Sequence, residues 1–84
     1  MSEVQIKDEI SRVLFDLGLT ENSRVEDKEF KEIFELIDSL SLINFVVELE
    51  NSFGVELPDE YLLPENFVSI SNLAGYIQNL MNCD

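Results

Sequence analysis

No histidine occurs anywhere in the 84 residues. Its absence removes the side chain most often used as a general base near neutral pH, and the commonest metal ligand with it. Tryptophan is missing too, and the one cysteine, Cys83, is next to last. A lone thiol makes no internal disulfide, and at a frayed end it is expected to have no role. Basic residues number only 5 against 18 acidic ones, a formal net charge of −13. Such a chain repels nucleic-acid phosphates and anionic lipid, so neither nucleic acid nor membrane is expected as a partner, and basic protein surfaces are favoured. No apolar run approaches the ~18 residues of a membrane span. Met1-Ser2-Glu3-Val4-Gln5 has neither the basic nor the apolar region of a signal peptide. The expectation is a soluble, cytoplasmic monomer.

Apolar side chains make up 45% of the chain, enough for one core, and 84 residues fit one domain over 1–84. Repeats, linkers and low-complexity tracts are absent. Ser2 and Gln5 have the spacing of a capping box, and Val4, Ile6, Ile10, Val13, Leu14 and Leu17 follow at mostly helical intervals. That pattern predicts a first helix over about 3–17, with Gly18 as its C-cap. Residues 19–25 read as loop. Phe30, Ile33, Phe34 and Ile37 then stand at i, i+3, i+4 and i+7, predicting a short helix or helical turn that brings aromatics to the core. A second main helix is expected over about 39–52, ending near Gly54, then a helical turn at 62–67 with Pro64 at its start. The last helix is expected over 70–81, with Ser69 and Asn72 sharing its cap. The fold class is all-α, a small four-helix bundle of three longer helices and one short, with an extra turn before Ser39. Its core is expected to include Ile10, Leu14, Phe34, Phe45, Val46, Leu49, Phe53, Ile70, Leu73 and Ile77.

The chain is organised around Leu36-Ile37-Asp38-Ser39-Leu40-Ser41-Leu42. Asp is a preferred N-cap, because its carboxylate accepts hydrogen bonds from the unpaired N–H groups of a first helical turn. Asp38 is therefore the expected cap and Ser39 the first helical residue, its hydroxyl at the positive end of the helix dipole. An anionic phosphodiester on that hydroxyl would meet a favourable field. Beyond it, Leu42, Phe45, Val46, Leu49 and Phe53 form one stripe suited to a core. Leu40, Ile43 and Val47 form another, rotated away from the first. A helix apolar on two faces is either deeply buried or meets a partner.

Catalytic readings fail. The chain has no Ser-His-Asp set, no Cys-His pair, no glycine-rich phosphate loop and no zinc spacing, so neither catalytic nor metal-binding residues are assigned. Its many carboxylates read as solvated acidic faces. A calcium-binding EF-hand starting at Asp38 also fails. Leu40 and Leu42 stand where oxygen ligands belong, Ile43 where glycine must turn the loop, and Leu49 where a glutamate must chelate.

Asp38-Ser39-Leu40 ahead of an apolar helix, with Phe53-Gly54-Val55-Glu56-Leu57-Pro58 downstream, resembles the acyl and peptidyl carrier proteins. The resemblance covers nearly the whole chain, including Leu63-Pro64-Glu65-Asn66-Phe67 and the last helix with Tyr76-Ile77. It implies an acyl-carrier-type bundle whose serine carries 4′-phosphopantetheine, transferred from coenzyme A by a phosphopantetheinyl transferase. An acyl or aminoacyl group then rides on the arm as a thioester. Carried over, Ser39 is the attachment residue and Asp38 its capping, metal-facing neighbour during transfer. Leu40, Ser41, Ile43, Asn44, Val47, Glu48 and Glu50 are the expected docking face. It would serve the transferase, an acyl- or aminoacyl-loading ligase and a downstream synthase or transferase.

The chain departs from the family pattern in places. Leu36 and Glu35 stand where a glycine usually precedes the serine, and Ser41 and Asn44 where carriers of fatty-acid synthesis have acids. These departures suggest a dedicated polyketide, non-ribosomal peptide or aminoacyl-transfer system. The alternatives are a housekeeping fatty-acid carrier and an unmodified acidic interaction module. The charge itself makes a prediction. Self-repulsion at −13 is expected to lower stability at low ionic strength, so the melting temperature should rise with added salt. A flat or falling melting temperature in a salt series would contradict that.

Overall fold

The computed structural model describes residues 2–58 and 67–82. Four helices account for most of them: α1 (Glu3–Asp16), α2 (Asp27–Leu36), α3 (Ser39–Phe53) and α4 (Ile70–Asn82). The capping box that starts α1 is formed in both directions. Ser2 N–H donates to Gln5 Oε1 at 2.8 Å, and Gln5 N–H donates to Ser2 Oγ at 3.3 Å. At its other end Leu17 is the C-cap, one residue earlier than expected, and Gly18 follows at φ 75°. Gly18 N–H donates to Phe15 O and Leu19 N–H to Leu14 O, the paired bonds of a Schellman motif. Its left-handed residue is disfavoured for any side chain but glycine's.

Of the two readings before Ser39, a short helix or a helical turn, the helix is the one formed: α2 has 10 residues. Its N-cap residue, Glu26, makes no side-chain cap bond. The start of α2 is held from outside instead, because Asp27 Oδ1 accepts from Ser71 N–H at 3.0 Å and both its oxygens accept from Ser71 Oγ. The preceding loop is fastened too: Thr20 Oγ1 donates to Glu29 at 2.5 Å, Asn22 Nδ2 donates to the same carboxylate, and Val25 N–H donates to the buried Ser11 Oγ. Ile37, read from spacing as part of the α2 stripe, has left the helix at ψ 141°. The start of α4 is capped by Ser69 Oγ, which accepts from Asn72 N–H at 2.9 Å. The helical turn expected at 62–67 lies outside the described residues except for Phe67, which is buried in irregular backbone.

Packing follows the stripes. α1 lies against α4 and α3, and α2 touches α4. All ten expected core residues are buried, joined by Ile6, Val13, Phe30, Leu42 and Phe67 among others. At the centre, the Phe34 ring lies 4.6 Å from Phe30, 5.1 Å from Phe45 and 5.0 Å from Phe67, nearly parallel to the last. Ring pairs of this kind add about 0.5–1.5 kcal/mol each beyond their area burial. On the surface, Arg12 joins Glu9 and Asp16 of its own helix and donates to Ser52 Oγ of α3 at 3.5 Å. That cluster is exposed and adds little stability. Among the described residues no helix is long and apolar enough to cross a membrane.

Phe45 is fully buried and touches both Phe34 and Phe67. Phe45→Ala is expected to cost about 3–5 kcal/mol in a urea melt, most of the margin of a small domain. A loss below about 1 kcal/mol would mean that the cluster does not hold the fold together.

Candidate functional site

Only Ile37 and Asp38 separate α2 from α3. Both are extended, at ψ 141° and 166°, so the chain turns sharply between the helices. Asp38 caps α3: its carboxylate accepts from Ser41 N–H at 3.0 Å, and its carbonyl accepts the first helical bond, from Leu42 N–H. The Ser41 hydroxyl and then its backbone N–H hold the Asp38 carboxyl below its ordinary range. Ser39, the first residue of α3, is exposed. No acidic residue follows it in the first turn, and the N–H groups there present the positive end of the helix dipole.

The other residues of the expected docking face are placed as follows. Leu40, Ile43 and Val47 are uncovered, so the second stripe of α3 is not absorbed by the core. Ser41 is half-buried and belongs to the cap. Asn44 is exposed beside a crevice of about 40 Å³ shared with Leu17, Leu19 and Ser41. Glu48 is exposed. Glu50 is engaged elsewhere, because its Oε2 accepts from Leu57 N–H at 2.9 Å, tying α3 to the segment that leaves it. One residue escaped the sequence reading. Leu36, the last residue of α2, is exposed three residues before Ser39. The signal was its place off the Phe30, Ile33, Phe34 and Ile37 stripe.

The fold thus displays a serine on a capped helix start, beside an uncovered apolar stripe. Comparison with known proteins makes the class specific. The family described as "Phosphopantetheine attachment site" matches residues 4–77. The acyl carrier protein of Rubrobacter xylanophilus is 32% identical over 92% of this chain and 93% of its own length. That of Thermobifida fusca is 30% identical over 92% and 95%. No solved structure matches significantly. The chain belongs to the phosphopantetheine-binding carrier proteins. Its prosthetic group is 4′-phosphopantetheine, and it is a carrier protein. The residues present fit that group, since a phosphodiester on an exposed helix-start hydroxyl needs no burial and meets the dipole's positive end.

The depressed Asp38 carboxyl sets a pH dependence. A group whose folded pKa lies below its unfolded one contributes stability above the unfolded value and loses it as pH falls through the folded value. Asn caps a helix nearly as well but carries no charge. Wild type should therefore melt above Asp38→Asn at pH higher than about 4, and the gap should close as pH falls further. A pH-independent gap in a melting series would show that charge on Asp38 contributes nothing to the cap.

Proposed function

We propose that Ser39 is the residue carrying 4′-phosphopantetheine and that the protein tethers an acyl or aminoacyl group for a dedicated biosynthetic system. One observation carries this reading: within the family match, Ser39 is the serine left exposed at the capped start of a long helix. The others in the described residues are otherwise placed. Ser41 is half-buried and bonded to Asp38 through its N–H. Ser11 is buried against Val25, and Ser2 and Ser69 serve as caps. Ser71 holds Asp27, Ser52 receives Arg12, and Ser23 lies in a loop.

In the transfer, the Ser39 oxygen bonds to the phosphorus on the pantetheine side of the coenzyme A pyrophosphate. The P–O bond to the adenosine half breaks, that half leaves as adenosine 3′,5′-bisphosphate, and the hydroxyl proton passes to the transferase. The arm's terminal thiol supplies the thioester chemistry. This chain holds the Ser39 oxygen on a rigid helix start, and Asp38 keeps the first turn closed. The partners this reading requires are a phosphopantetheinyl transferase, a loading ligase and a downstream synthase or transferase. A dedicated polyketide, peptide or aminoacyl-transfer system is supported by the uncharged residues 39–47, where Ser41 and Asn44 replace the acids usual in fatty-acid synthesis. The competing reading, a housekeeping fatty-acid carrier, is favoured by the acyl carrier name of its relatives.

Intact mass after incubation with coenzyme A, magnesium and a broad-specificity phosphopantetheinyl transferase tests the assignment. Wild type should gain one phosphopantetheine and Ser39→Ala none, with an unchanged helical spectrum for both. Modification of Ser39→Ala, or of neither protein with several transferases, would refute the assignment.

A further inference from the structure

A hollow of about 450 Å³ opens where α1, the loop before α2 and the starts of α2 and α4 meet. That volume is in the range of small-ligand sites. Its wall on α1 is a single face, Val4, Lys7, Asp8 and Ser11 at i, i+3, i+4 and i+7. Val25 and Ile70, both buried, give it an apolar floor. Around that floor stand Lys7, Arg24 and Lys28, three of the five basic residues in the chain. Ser39 lies beyond the other end of α2, roughly 15 Å of helix away. The hollow is therefore separate from the site at Ser39.

Most of the acid in this lining is already engaged. Asp8 pairs with Arg24 at 3.5 Å, and Asp27 accepts from Ser71, which leaves Glu26. Lys7 reaches only Glu3, at 4.0 Å, and Lys28 has no ion-pair partner among the described residues. Three cations and three acids cancel here, in a chain of −13, so an anion meets no net repulsion from the lining. Donors are present as well. The buried Ser11 Oγ accepts from Val25 N–H, and its own proton has no acceptor among the described residues. No side chain caps the first N–H groups of α2. Leaving a buried hydroxyl proton unbonded is costly, and an anion oxygen satisfies it as well as an open helix start.

We propose that this hollow binds a small organic anion, a carboxylate or phosphate ester on a compact apolar stem. Its charge sits among Lys7, Arg24 and Lys28, and its stem lies against Val25 and Ile70. Asp27 and Ser71, which join the starts of α2 and α4, line the same hollow, so occupancy stabilises that joint.

A titration of the unmodified protein with phenyl phosphate, followed by amide chemical shifts, tests this, with benzyl alcohol as the uncharged control. Saturable changes are expected at Ser11, Val25, Lys28 and Ser71, with a Kd on the order of 1–10 mM for a ligand of that size. Benzyl alcohol at the same concentrations should leave these amides unmoved. Arg24→Gln and Lys28→Gln alter exposed residues and should keep the melting temperature. Each should weaken binding about threefold, the worth of one exposed charge contact. Lys31→Gln, one turn further along α2 and outside the lining, should not. Equal binding of benzyl alcohol, indifferent to Lys28→Gln, would overturn the proposal in favour of a merely apolar crevice. Changes that never saturate, or that spread over all the basic residues, would overturn it in favour of ionic screening alone. Ser39→Ala should bind as wild type does, and loss of the changes there would overturn the proposal by placing the probe at the start of α3. The attachment of phosphopantetheine is decided separately, by mass gain, whatever this titration gives.

Discussion

The burial of the Phe34 ring is the constraint on which the rest depends. Phe34 sits in the last turn of α2, and Phe45 in the second turn of α3. Their rings meet at 5.1 Å, and Phe67 from the approach to α4 stacks on Phe34 at 5.0 Å. The two-residue link that ends at Ser39 is thereby fixed on both sides. Interiors packed to crystal-like density do not let one ring slide without displacing its neighbours. An exposed hydroxyl that touches nothing can therefore still be held rigidly, because the forces that locate it act one to two helical turns away. This is what a carrier requires. On the proposed assignment, the Ser39 oxygen has to be free on every side that an enzyme approaches, so its position must come from elsewhere in the bundle.

The second constraint is the shortage of positive charge. With 18 acids and 5 bases, ion pairs cannot satisfy the carboxylates. Several act instead as acceptors for neutral donors. Asp38 takes Ser41 N–H, Asp27 takes Ser71, Glu29 takes Thr20 and Asn22, and Glu50 takes Leu57 N–H. Each bond closes a helix start or pins a connecting segment. The acidity is therefore partly structural, and an acid on this surface is not automatically a contact for a basic partner. Glu50 makes the point. By sequence it belongs to a docking helix, and in the fold its carboxylate faces inward along the chain.

How far the fold could be read in advance follows the range of the interactions. The starts of α1, α3 and α4 rest on Ser2, Asp38 and Ser69, whose bonds reach only three residues, and short-range patterns carry them. The core was legible for the same reason, since a stripe of Leu42, Phe45, Val46, Leu49 and Phe53 depends only on helical geometry. What fixes the start of α2 was not. No capping side chain precedes it, and the bond that holds its start joins residues 44 apart in the chain. At the site, the cap and the first helical residue could be read directly. Whether Leu40, Ile43 and Val47 were covered could not, because periodicity counts apolar positions without saying which neighbours arrive. Leu36 was overlooked because its one signal, its place off the α2 stripe, marks a position as outside the core without forming a stripe of its own.

Two properties that seem opposed then support each other. Four large apolar side chains left in water around an exposed serine would make a neutral protein of this size self-associate. The charge of −13 lies around that patch and not within residues 39–47 of it, and it keeps like chains apart. Repulsion between copies acts over about a Debye length, whereas apolar contact acts only when surfaces meet. The distribution of acid over this small bundle thus opposes contact between two copies at the patch more than contact with a surface that lacks that excess of negative charge.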